Sequence, residues 1–281
     1  MTATDTVLAL LPNLGALQAV ITSESISKGP DAYRGAAYRL EQMPYCLAAA
    51  LTALLEAVRL QEEALGKLDL HSVGQNVDYS IPEEIRDPIS YQIDAFLDAA
   101  VRAQNGLTGY LQHATKSSLP SGFRALAQAV LDGLLDFGGS VNRLIVEYWH
   151  SSGERLREYR DLGQHHVVLA SNARIIITGG RIEMFFMPLP SNPADKAALK
   201  LVYAPDSPNA LPYLATSFTE LVRFLRRVIF ELLGTDARTP RAVVCHMFKE
   251  GAVSDLPRAG VIVSRASIDE QLAALGVEPL R

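Results

Sequence analysis

The hydrophobic period switches from helical to β-like near residue 165, and that switch limits the folds open to this chain. Up to about residue 163 the apolar residues recur at intervals of three and four, the spacing of one helix face. After His165 they come in short β-rich runs, HVVL, ARIIIT and RIEMFFM. Helical segments first and strands afterwards predict an α+β fold, with each element burying its apolar face against the others. The stretch 148–169, YWHSSGERLREYRDLGQHHVVL, carries the changeover.

The helical part reads as a bundle. Residues 6–21 follow a helical period, with Pro12 in the first turn or at a break. Residues 31–65 carry the stripe Leu47, Leu51, Leu54, Leu55 and Val58, and Pro44 is expected to kink or divide that helix. Residues 67–87 lack periodicity and read as a surface connection. A helix over 88–115 buries Ile93, Phe96, Leu97, Ala100, Val101, Leu107 and Leu111. The stripe Phe123, Leu126, Ala127, Val130, Leu131, Leu134 and Leu135 predicts the next, and a last helix spans 140–159. Helices of this length with short links make a bundle.

The remainder predicts a three-stranded meander from the three β-rich runs. Gly179-Gly180 suits a two-residue hairpin turn, because both positions accept positive φ. ALKLVYA is a possible fourth strand, 211–233 a long covering helix, AVVCHMF and GVIVS further strands, and 268–275 a short helix. The expected architecture is thus an N-terminal helical bundle (1–163) followed by a small antiparallel sheet with a long covering helix (164–281). The two parts are expected to share a core.

Composition narrows the function classes. With 281 residues, 48% hydrophobic and 20% charged, the chain buries a substantial core and is expected to be ordered. The net charge of −5 argues against broad binding to nucleic acid or an anionic membrane, though a local basic pocket fits it. Cys46 and Cys245 are the two cysteines, with no metal-type spacing, so neither a disulfide framework nor a structural zinc is expected. The N-terminal apolar run lacks a preceding basic residue and is broken by Pro12, so no signal peptide is expected. No apolar stretch reads as approaching the roughly 20 residues of a membrane span. A soluble cytoplasmic protein without a cofactor is the expectation.

One arrangement suggests chemistry, Arg160-Asp161-x-x-x-His165. A guanidinium binds phosphate in bidentate fashion. A histidine near neutrality can move a proton from a ribose 2′-hydroxyl, and Asp161 is placed to orient the imidazole. Arg157 and His166 flank the motif as candidate ligand-binding residues. Arg155, Arg157 and Arg160 alternate with Glu154 and Glu158, an anion patch or a salt-bridged face. Arg223, Arg226 and Arg227 offer a second basic face. His165 and His166, adjacent on a β-like run, point to opposite faces, so no metal pair is expected.

The motif resembles the signature of the HEPN superfamily: an arginine, a polar residue, and a histidine a few residues on. The resemblance covers about the first 165 residues. It implies a helical bundle, a homodimer with two motifs facing each other, and metal-independent cleavage of RNA, or RNA binding where catalysis is lost. Arg160 and His165 would be the catalytic pair, with Asp161 beside them. In the family the motif leads into or lies on a helix, whereas here a β-like run follows His165.

A structural role accounts for the same residues. Arg160 and Asp161 then pair at a helix C-terminus, where positive charge is favoured, and His165 hydrogen-bonds at the sheet edge. The chain is then a noncatalytic scaffold or a small-ligand-binding protein. No GxSxG, HExxH, phosphate-binding or dinucleotide-binding fingerprint is present.

Overall fold

The computed structural model describes residues 30–68, 76–115, 117–165, 169, 172–195, 200–204 and 206–233. The segments read as a helix over 6–21, as strands over AVVCHMF and GVIVS, and as a helix over 268–275 lie outside them. Within them the fold is α+β: mostly helical, with one small antiparallel sheet.

Helix α1 (Pro30–Gly66) is the first described element. It runs through Pro44 without dividing. Met43, Leu47, Leu51, Leu54 and Val58 are buried. Its outer side carries exposed ion pairs, Arg59 with Glu56 and Glu63, and Lys67 with Glu63. Solvent screens such exposed pairs, and they add little to stability. By length and composition the stretch Gln42–Gly66 could cross a membrane, which corrects the reading that no apolar run was long enough. Most of its apolar window is buried against protein.

Helix α2 (Glu83–Thr115) starts five residues before the expected Pro88. Glu83 and Glu84 lie in its first turn, where negative charge meets the positive end of the helix dipole. It packs along α1. Gly106 makes the approach close: a Cβ there would stand 3.2 Å from Met43 Cβ. Helix α3 (Phe123–Leu131) is shorter than its stripe predicts. Asn105 of α2 accepts the Phe123 N–H at 3.0 Å, and the chain turns away at Gly133, φ +69°. Leu134 is therefore not on the buried face; it is 76% exposed.

The next helical run differs from the expected single helix over 140–159. Helix α4 (Gly139–Tyr148) passes through a π-helical turn (Trp149–Gly153) into α5 (Glu154–His165). A Cβ on Gly153 would come within 2.9 Å of the Tyr148 ring, so only glycine lets this turn close over that tyrosine. Gln104 of α2 donates to Tyr148 Oη (2.8 Å) and to the Gly153 carbonyl (3.4 Å). The Tyr148 ring stacks on Phe224 at 4.1 Å, and Phe123 packs edgewise on Trp149 and Phe224. Tyr148 and Trp149 belong to the core.

The sheet corrects the sequence reading of 67–87 as a plain connection. Strand β1 (Asn76–Ser80) lies there and pairs antiparallel with β2 (Arg174–Thr178), with Asp78 opposite Ile176. Strand β3 (Arg181–Phe186) pairs on the other side of β2. The hairpin between β2 and β3 turns at Gly179 and Gly180, φ +60° and +72°, as two positive-φ positions require. Of the expected first strand, residues 166–168 are outside the described set and Leu169 is a buried turn residue. The expected fourth strand forms no strand over its described residues 200–204. Instead Asn192 holds that segment, accepting the Val202 N–H and donating to the Lys200 carbonyl.

Helix α6 (Ala210–Leu233) matches the helix expected over 211–233 and buries Leu214, Phe218, Leu221, Val222, Leu225 and Ile229. It packs chiefly on α4, α2 and α1. Asn209 ties its start to β3 by accepting the Met187 N–H and donating to the Phe185 carbonyl. Sheet residues Ile175, Ile177 and Phe185 lie in the same apolar cluster as the bundle residues. The sheet takes strands from both sides of residue 163.

Candidate functional site

The motif lies on a helix rather than at a helix-to-strand junction. Helix α5 continues through His165, six residues beyond its expected end. At 3.6 residues per turn, Arg157, Asp161 and His165 are spaced one turn apart along one side. Arg160 and His165 are five apart, about 140° around the axis. Arg160 shares its side instead with Gln164, one turn on.

That side faces α2. Arg160 Nε and Nη2 lie 3.4 and 3.2 Å from Asp98 Oδ1. Its Nη1 donates to Asp161 Oδ1 at 3.1 Å. Gln164 Nε2 donates to the same Asp98 oxygen at 3.0 Å, and Arg102 Nη1 stands 3.6 Å from Asp98 Oδ2. Arg157 joins from the other direction, its Nε 3.5 Å from Asp161 Oδ2. That Nε is buried and makes no hydrogen bond, so the contact is an ion pair only. The side chains of Arg160, Asp98 and Asp161 are 24%, 32% and 17% exposed. Three guanidiniums thus surround two carboxylates in a partly screened setting.

One turn before Asp98, Asp94 presses on the same helix. A Cβ on Gly163 would stand 2.8 Å from Asp94 Oδ1 and 3.1 Å from Leu169 Cδ1. Glycine at 163 lets the carboxylate reach the α5 backbone. Burial there pushes the Asp94 carboxyl up to about 6, because desolvation disfavours its charged form. On the α1 side stands Cys46, whose thiol burial pushes up, with smaller and opposing influences from Arg102 and Asp98.

Of the residues singled out from the sequence, Arg160, Asp161 and Arg157 come together in one network. His165 is the last described residue of α5, and its side chain, like residue 166, lies outside what is described. Asp94, Asp98 and Gln164 were missed. The spacing of Asp94, Asp98 and Arg102 by four was legible as one side of a helix, but nothing in it named α5 as the partner. Among the described residues, no group of three or more His, Cys, Asp or Glu side chains is placed to hold a metal ion.

Chemically, Arg160 is already occupied. Three of its five N–H groups go to two carboxylates, and a phosphate taking its Nε–Nη2 edge would have to displace Asp98. No family model, curated protein or solved structure matches this chain.

Proposed function

We propose that this chain is a noncatalytic scaffold or small-ligand-binding protein in which the Arg-Asp-x-x-x-His motif joins helices. The observation that carries this reading is the Arg160 guanidinium, held between Asp98 of α2 and Asp161 of its own helix. The bidentate Nε–Nη2 edge suited to a phosphate is turned here onto Asp98 of a neighbouring helix. The test compares the full chain with His165→Ala and Arg160→Ala, measuring thermal stability and cleavage of a mixed RNA pool in a chelator. The reading expects Arg160→Ala to melt at lower temperature and none of the three proteins to cut RNA. Chelator-resistant cleavage by the full chain that disappears in His165→Ala would overturn it.

A second reading is favoured by one feature, the continuation of α5 through residue 165. A helical setting is what the HEPN resemblance implies, and it sets Asp161 one turn before His165. On this reading the protein is a metal-independent endoribonuclease or an RNA-binding protein. Arg160 binds the phosphate of RNA or another phosphate-bearing ligand, and His165 moves the proton. Asp161 orients the histidine, and Arg157 and His166 extend the site at a two-fold homodimer interface. Cleavage in the same assay, together with a dimer by sedimentation, is its expected signature.

A further inference from the structure

We draw no further inference here: the strongest candidate, the half-buried Asp94 carboxylate set against Gly163 where α5 meets α2, belongs to the site already described and adds to it only an upward pKa shift.

Discussion

Asp98 on α2 takes two nitrogens of Arg160 on α5 with one oxygen, Oδ1, at 3.4 and 3.2 Å. The two residues are 62 positions apart, so the pair ties α2 to α5 across the bundle. Removing either partner leaves the other half-buried with fewer partners. Asp98→Asn and Arg160→Ala are each expected to destabilise the fold by about 1 kcal/mol. The double variant is expected to fall short of the sum by about 0.5–1 kcal/mol, because the sites are in contact. Urea denaturation of the four proteins measures the coupling, and strict additivity would remove Arg160 as a joint.

Asp94 makes a pH-dependent contribution. Its folded pKa of about 6 lies above the ordinary value of 3.8, so the fold favours its protonated form. Stability from this group is full below pH 4 or so and is lost as pH rises through about 6. Asp94→Asn keeps the shape of the protonated acid and removes the titration. The variant is expected to be more stable than the parent at pH 7.5 by about 1 kcal/mol, a figure reduced for partial solvent exposure, and nearly equal to it at pH 4. Melting curves across that range check the sign; equal slopes in both proteins would refute it.

Gly153 is expected to tolerate no side chain. Its Cβ position is 2.9 Å from a Tyr148 ring that Phe224 holds by stacking, so the ring has little freedom to yield. Gly153→Ala is expected to cost about 1–3 kcal/mol despite the better helix propensity of alanine. Gly66, with nothing within 4 Å of its Cβ position, is the control, and Gly66→Ala is expected to be neutral or mildly stabilising. Thermal unfolding of both variants decides between clash and propensity.

Gln104 bridges α2 to the π-helical turn from a fully buried position. Gln104→Ala removes the donor to Tyr148 Oη and to the Gly153 carbonyl and opens a cavity. A loss of about 1–3 kcal/mol is expected, from a buried acceptor left without its donor. Hydrogen exchange should speed up most at residues 148–154, and an unchanged exchange pattern there would show that the turn holds without the glutamine.

Legibility followed the range of the interactions. The stripe Leu214, Phe218, Leu221, Leu225 was readable because helix periodicity is local, and so was the Gly179-Gly180 hairpin, because positive φ is a local demand. Strand Asn76–Ser80 was missed although NVDYS alternates polar and apolar residues: five residues with two apolar ones are a weak local signal, and pairing with Ile175 and Ile177 makes them a strand. The Arg160-Asp161 pair could be read from adjacency, but Asp98, which decides what Arg160 is free to do, could not.

The order of residues alone therefore determined the helical bundle, the β-forming runs ARIIIT and RIEMFFM and the turn between them, since each depends on neighbours a few positions apart. Only the tertiary structure decided that α5 continues to His165, that a strand from residues 76–80 completes the sheet, and that Asp94 and Asp98 face Gly163 and Arg160. Those outcomes depend on which helix lies beside which, and burial against a distant partner overrides the local preferences of the chain.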